Sequence, residues 1–468
     1  MAYFNEKASK VNHQYIIENL KVKDYLAKCE KIEQNLPLEV DSKANTFSIS
    51  NTHDKFPSCI ERVITIDGGY QEVNINENFP SQKLCYYNVG ILMFSVKDLE
   101  AVERQQTINP SDVGKLENLE RFNFVIPTQN IRLKNEDFIT TFRKTFYEEV
   151  FLKNYLNEND SNSSFIHTIK WLVFKEYLDT DSKGKGSIKF TCPHCNEMQI
   201  FQKQTINYVD EKNNFMKCSN SKCEKIIYIT DCFDLHTLID EINGATLIES
   251  YIMGSFEIIL LLSMFRFLFE EDNIQWLPKI LFIKDGPLAL FSRLDDFAFK
   301  VVRPFIQFLY SKSLSEKKSY VNLVGLDKSG MFVEHLKNIE SQIPLESILL
   351  PNLDYMKKYI TGNNNSVFGE NTYFGIKMFV RKEKNLSFVL DIAIPFDEKT
   401  RYKDYIKQPK IEDFLSLKSI LEVLFQLKCN LYEKSFIPIA MVNKLVSLSN
   451  VPSKKILTMF SRDKLSHI

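Results

Sequence analysis

The chain has 468 residues, 44% of them hydrophobic and 13% aromatic, with 37 phenylalanines. That is material for two to three domains around a large core, and the scarcity of Gly and Pro, 14 and 15, excludes a fibrous or disordered chain. Lys and Arg (59) nearly cancel Asp and Glu (60), so net charge announces no nucleic-acid partner and any basic surface has to be local.

The start of the chain, MAYFNEKASKVNHQY, is polar and does not read as a signal peptide. The longest apolar run, Ile258 to Phe269, contains Arg266 and is too short to span a bilayer. No membrane span and a prokaryotic cytoplasmic location are the expectations. Residues 1–58 read as an N-terminal helical arm, with a helical pattern from Val11 to Glu33 and a polar loop after it.

Residues 59–187 carry the first part of the core. Three strand-like runs, Val63–Ile66, Tyr70–Ile75 and Leu84–Phe94, suggest an antiparallel meander in which the first strand stops at Asp67-Gly68-Gly69. Residues 96–180 are charged and helical in pattern, with Phe138, Phe142, Phe146 and Val150 on one face. LDTDSKGKGS, residues 178–187, is a linker by composition.

Residues 188–230 form a separate module. Cys192-Pro-His-Cys195 and Cys218-Ser-Asn-Ser-Lys-Cys223 are two short knuckles able to bring four thiolates to one tetrahedral ion. With strand-like Met198–Gln202 and Ile226–Thr230 they read as a zinc ribbon holding structural Zn²⁺. His194 lies inside a knuckle and reads as exposed; Cys232 reads as packing.

Residues 231–345 alternate helix and strand, the signature of parallel βαβ units. An apolar helix over 245–269 precedes Ile280–Ile283, a buried strand that ends at Asp285-Gly286-Pro287. A helix over 292–311, the strand Tyr320–Leu326 and a helix over 331–339 follow. Residues 346–468 hold a hairpin within 372–394 and two helices, 411–429 and 438–449.

A meander bearing Asp67, then a helix, then a strand ending at Asp285, suggests an α/β fold with an RNase H-like mixed sheet flanked by helices, an inserted zinc ribbon and a helical C-terminal part. Each Asp-Gly alone reads equally well as a turn; together they suggest two carboxylates meeting over one sheet. Carboxylates are hard donors suited to Mg²⁺ or Mn²⁺, and paired ions of this kind activate water and stabilise a leaving oxygen.

The order Ile66-Asp67-Gly68-Gly69-Tyr70, a Glu-bearing apolar helix, Ile283-Lys284-Asp285-Gly286-Pro287-Leu288, then Val324-Gly325-Leu326-Asp327-Lys328-Ser329 resembles the NurA nucleases over roughly 60–100 and 245–450. The resemblance implies an RNase H-like, metal-dependent DNA nuclease that works with a HerA-type hexameric DNA-translocating ATPase, as a homodimer, in DNA end processing or defence against phage. It implies catalytic Asp67 and Asp285 on two Mn²⁺ or Mg²⁺ ions; Glu257, a lone carboxylate in an apolar helix whose unpaired burial would be costly and which a metal would relieve, is the choice for the third, with Glu249 as its rival. The alternative for Glu257 is a place on the solvent edge or a pairing with an Arg such as Arg266 or Arg293.

Lys328 would point at a phosphate or the attacking water, and Asp327 reads as a helix N-cap rather than an extra ligand. Lys377, Arg381, Lys382 and Lys384 at the hairpin suggest a strip that tracks DNA phosphates, with Phe379 stacking on a base. The chain departs from the resemblance where Asn443 falls in place of a late His; Asp391 could then complete the metal site. His467 is the next histidine after His335. The departure opens a second reading, a catalytically silent DNA-binding or scaffold subunit of such a complex. A third, a Piwi-like guide-directed nuclease, lacks a guide-pocket signature.

Overall fold

A computed structural model of the chain describes residues 10–29, 46–76, 78–97, 119–153, 163–203, 215–245, 248–362, 367–394, 402–428, 436–448 and 453–465. Residues 30–33 of the predicted first helix and His467 lie outside them. Nine strands form one mixed sheet: β1 (Thr46–Ser48), β2 (Arg62–Asn74), β3 (Lys83–Ser95), β4 (Leu119–Gln129), β9 (Ile280–Asp285), β10 (Leu323–Asp327), β11 (Ser347–Leu349), β12 (Gly375–Glu383) and β13 (Leu386–Ala393). Their order is β1-β11-β12-β13-β10-β9-β2-β3-β4. The meander β2-β3-β4 is antiparallel, β9 and β10 add parallel to β2, and β13 closes antiparallel on β10. This is the mixed, helix-flanked sheet the sequence suggested.

The longer described helices are α1 (Lys10–Glu18), α2 (Leu20–Leu26), α3 (Phe138–Thr145), α4 (Phe165–Val173), α5 (Glu249–Glu270), α6 (Arg303–Glu316), α7 (Met331–Ile339), α8 (Leu417–Gln426), α9 (Ile437–Val446) and α10 (Ser453–Leu465). Two apolar cores result, one on each face of the sheet. Ile64 and Ile66 of β2 enter the first with α3, α4 and α5; Val63 enters the second with α7, α8 and α9. Alternation along a strand is what sends neighbours to opposite cores. Helix α5 is apolar all round and long enough to cross a membrane, but 67% of its most apolar stretch is buried within the protein, as a central core helix requires.

Three expectations need correction. The first strand does not stop at Asp67-Gly68-Gly69: β2 runs 13 residues straight through it, paired throughout with β3. The glycines serve close packing instead. A Cβ on Gly68 would lie 2.3 Å from Met253 Sδ of α5, and one on Gly69 would lie 2.8 Å from the Val446 carbonyl of α9, so a helix crosses each face at the glycines. Within 96–180, expected to be helical, residues 119–129 are strand β4; Phe122, Phe124 and Ile126 alternate with polar or more exposed neighbours, the period of a strand. Helix α10 follows the two helices read at the C-terminal end, docked by Tyr86–Ser461 (2.7 Å) and by Arg462 donating to the Ile75 carbonyl (2.7 Å).

The module inserted between α4 and α5 consists of two small hairpins, β5 (Ser187–Thr191) with β6 (Met198–Gln202) and β7 (Phe215–Lys217) with β8 (Ile226–Tyr228). It is fastened by Arg143 of α3. The guanidinium makes a bidentate pair with Asp231 at 2.7 and 2.8 Å, donates to the Ile226 carbonyl at 2.9 Å and lies 2.8 Å from His194 Nε2.

The glycine packing gives a stability test. Gly69→Ala meets backbone and is expected to lower unfolding free energy by about 1–3 kcal/mol. Gly254→Ala, in α5 with only Leu294 Cδ1 at 3.8 Å near the added methyl, should raise it by about 0.5–1 kcal/mol. Urea melts of both variants against wild type make the measurement.

Candidate active site

Strand β9 ends at Asp285, and its register with β2 ends at Ile66↔Lys284. Beyond that pair β2 continues with no strand paired on its β9 side among the described residues. Asp67 and Asp285, each one residue past the last pair, leave one face of the sheet, whereas Lys284 and Gly68 leave the other. Helix α5 lies on that second face, and the missing side chain at Gly68 lets Glu257 approach: its Oε1 is 3.2 Å from where a Cβ would stand. Groups from both faces meet at this open end.

The three carboxylates feel one another. Asp67, 6% exposed, has its carboxyl pushed up to about 7, by burial first and by the negative charge of Asp285 second, with the Lys328 ammonium opposing both. Glu257 is also pushed up to about 7; burial dominates, Lys284 lowers it, and Asp67 and Asp285 raise it further. Two cations answer this charge. Lys328 Nζ lies 2.6 Å from Asp285 Oδ2 and 3.9 Å from Asp67 Oδ2; Lys284 Nζ lies 3.8 Å from Glu257 Oε2 and donates to the Asp285 carbonyl at 3.0 Å. Gly68 N–H donates to Asp67 Oδ1 at 2.8 Å. Asp67 Oδ2 and Asp285 Oδ1 are buried with no hydrogen-bond partner among the described residues. Orphaned carboxylate oxygens of this kind are hard donors that fit Mg²⁺ or Mn²⁺.

The structure thus brings Asp67, Glu257, Asp285 and Lys328 together. Glu257 pairs with neither Arg266, which reaches Glu270 at 3.4 Å, nor Arg293 in any described contact. Glu249 sits near the start of α5, where its charge falls on Tyr70 and Cys85 rather than on the aspartates. Asn443 is exposed on α9.

Several residues stand elsewhere than the sequence suggested. Asp327 is not an N-cap; Gly330 precedes α7, and Asp327 Oδ2 accepts from Lys377 at 2.6 Å. Its carboxyl is pushed up to about 6, by burial and then by Asp391, against the Lys377 ammonium. Lys377 is 4% exposed and also binds Asp391 at 3.0 and 3.1 Å, so it is not a surface cation for tracking phosphates. Phe379 is fully buried and has no face for a base. Asp391 faces Lys377 and the Leu288 amide (2.9 Å) rather than the Asp67 group. Arg381 is turned to the Ile343 carbonyl, Lys382 pairs with Glu346 at 2.7 Å, and Lys384 is exposed. Strand β12 is covered on both faces for its first six residues, which hides Lys377 where an alternating hairpin would have shown it.

Sequence reasoning quoted Lys284 without giving it a task, although a lysine inside an apolar strand signals a buried partner. It missed the Arg143 latch, for which no local pattern exists.

In the inserted module, the Sγ atoms of Cys192, Cys195, Cys218 and Cys223 all lie within 4.8 Å of one another, the one such group of His, Cys, Asp and Glu donors among the described residues. Cys195 and Cys218 are 3.6 Å apart, far from a disulfide and close to the ~3.8 Å that tetrahedral ligands at ~2.3 Å from a zinc would show. Amides of His194 and Asn220 donate to Cys192 and Cys218, both at 3.4 Å. Burial pushes the Cys218 thiol up to about 12 and raises Cys192. A cation is what would let four such thiols ionise side by side. The set can hold a metal ion; the carboxylates of the sheet are spread more widely, with ammonium groups among them. His194 is exposed, as read, and Cys232 is buried in the core.

Comparison with known proteins follows the same lines. No curated protein matches the chain. Among solved structures, the crystal structure of the NurA nuclease from Sulfolobus solfataricus is 10% identical and covers 99% of both chains at a TM-score of 0.33. A second, a crystal structure of NurA, is 10% identical, covering 98% of this chain and 99% of the other, at 0.24. Superpositions this loose carry no weight. The family model for the NurA domain, however, matches residues 61–448, from the residue before β2 to the turn after α9. On that match the chain belongs to the NurA family.

Proposed function

We propose that this chain is a metal-dependent DNA nuclease that hydrolyses phosphodiesters by a two-metal mechanism. The observation that carries the reading is the convergence of Asp67, Glu257 and Asp285 at the end of β9, with one buried oxygen on each aspartate that takes no hydrogen bond among the described residues. Divalent ions held there would activate water and stabilise the leaving oxygen. Asp67 and Asp285 supply oxygens from one face of the sheet and Glu257 from the other. Lys284 holds Glu257 against that edge. Lys328, with its side chain 42% exposed, is the group free to swing from Asp285 to a phosphate oxygen and neutralise charge that develops on it.

Family membership favours DNA as substrate and a HerA-type hexameric ATPase as partner. A homodimer with the two sites facing one channel would let a chain of net charge −1 hold DNA through local groups alone. End processing and defence against phage are the settings such a pair would serve. The cysteine set suits structural Zn²⁺, since four thiolates leave no open position for water. The silent-scaffold reading rests on Asn443, an exposed amide where the resemblance calls for a histidine.

Cleavage of linear single- and double-stranded DNA with Mn²⁺ separates the two. Asp67→Ala and Asp285→Ala are each expected to reduce the rate by about 1000-fold or more, and Glu257→Gln by about 100-fold, with melting curves unchanged or improved. Cutting that is equal in wild type and variants would sink the nuclease reading.

The raised carboxyls also set a pH dependence for the metal-free protein. Their folded-state values, about 7, lie above the ordinary 3.8 and 4.5, so ionising them costs stability. The cost is absent below pH 4 and grows as pH rises towards 7. Millimolar Mn²⁺ should therefore raise the melting temperature more at pH 8 than at pH 5, and Asp67→Asn/Glu257→Gln should flatten the difference.

For the cysteine module, elemental analysis is expected to give one zinc per chain. Cys218→Ser should lose it and lower the melting temperature, while Cys232→Ser keeps the metal.

A further inference from the structure

A row of residues crosses four strands beneath the loop that follows Asp285. Lys284 of β9 is level with Gly325 of β10, Gly325 with Asp391 of β13, and Asp391 with Lys377 of β12. Residues paired directly across strands share a face, so this face reads Lys-Gly-Asp-Lys. Gly325 is a designed gap: a Cβ there would meet the Gly286 carbonyl oxygen at 2.6 Å and the Leu288 nitrogen at 2.9 Å. Gly286 itself turns through φ +80°, in the left-handed region that suits glycine. The loop lies in the space a side chain would fill.

Backbone bonds from Leu290 N–H to the Thr372 carbonyl and from Phe374 N–H to the Leu288 carbonyl, both at 2.9 Å, fasten its far side, and two more hydrogen bonds hold the part next to Asp285. Gly286 N–H donates to the Leu326 carbonyl at 2.9 Å, and Leu288 N–H donates to Asp391 Oδ2 at 2.9 Å. Asp391 is in turn gripped by Lys377, whose ammonium also takes Asp327 Oδ2 at 2.6 Å. The rings of Phe332 and Tyr373 each lie 5.0 Å from that ammonium and present their negative faces to it. One buried cation therefore ties the loop after Asp285 to the strand end that carries Lys328.

Buried ion groups of this kind can often be replaced by apolar side chains without loss of stability, so stability is a poor account of this one. Geometry is a better one. We propose that Lys377, through Asp391 and Asp327, is a positioning residue that sets Asp285 and Lys328 relative to each other; the inference rests on the nuclease reading for its catalytic part only.

The test has two arms, on the full chain with zinc in place. In the first, amide hydrogen exchange of residues 285–290 and 327–330 is compared between wild type and Lys377→Met. Exchange there should quicken by about tenfold, with residues 187–202 unaffected. In the second, kcat for Mn²⁺-dependent DNA cleavage should fall by about 100-fold with KM within about twofold, as misplacement of reacting groups produces. Should Lys377→Met fail to fold, Lys377→Met/Asp327→Asn/Asp391→Asn, with no buried charge left unpaired in the trio, takes its place. Unchanged exchange overturns the clamp. Faster exchange with unchanged kcat overturns the positioning role. Absence of cleavage by wild type defeats the nuclease reading alone, and the exchange arm still decides the clamp.

Discussion

The structure depends on how buried negative charge is balanced at the ends of β9 and β10. Five carboxylates crowd there, Asp67, Glu257, Asp285, Asp327 and Asp391, and three ammonium groups face them, Lys284, Lys328 and Lys377. Full ionisation would leave two negative charges uncompensated (five against three). Desolvation and repulsion together explain why three of these carboxyls are pushed up to about 6 or 7 rather than remaining ordinary acids. A group of side chains that falls short of neutrality by about two charges, at an edge where two oxygens have no hydrogen bond, is chemically prepared for an added cation.

The sheet creates this shortage by geometry. Because β9 stops while β2 continues, side chains from opposite faces can meet around the end of a strand. Glycines at 68 and 69 let α5 and α9 press against the two faces at that level. An alanine-rich strand of the same length would hold both helices away, and Glu257 would not reach the aspartates. The Asp-Gly pairing is thus a packing device at β2 and a turn device at β9, two uses of the same dipeptide.

That double use marks where the sequence could be read and where it could not. Apolar runs ending in acidic residues pointed to the two central strands, and a lone glutamate in an apolar helix pointed to a side chain whose charge does fall on Asp67 and Asp285, because unpaired burial is costly enough to be informative. The two cysteine knuckles were equally legible, since their spacing is a local property. The continuation of β2 through its glycines was not: glycine permits a turn without requiring one, and the deciding contacts come from Met253 and Val446, far away in sequence. Lys377 was misjudged for the same reason. A strand covered on both faces hides its polar residues regardless of alternation, and only the neighbouring Asp327 and Asp391 make such burial tolerable. The grip of Arg143 on Asp231 is also non-local, and it adds to the Lys203–Glu176 pair and the Thr191–Asp234 hydrogen bond in fastening the cysteine module.

Interior use of cations also bears on how a near-neutral chain can approach a polyanion. Among the described residues, Arg143, Arg266, Lys284, Arg303 and Lys377 are buried, and so are the carboxyls of Asp67, Asp231, Asp327 and Asp391 and most of Glu257. Five cations inside thus face five acids, and the surface keeps the near-balance of a chain of net charge −1. Long-range attraction to DNA phosphates is therefore weak over most of the surface, and screening at physiological salt confines what attraction exists to about 8 Å. On the proposed function, holding DNA would require either enclosure, which replaces attraction by confinement, or cations concentrated where a strand would be cut. The edge of β9 offers the second, with Lys328 exposed beside carboxylates that would hold divalent ions. The charge that binds and the charge that reacts would be the same few groups.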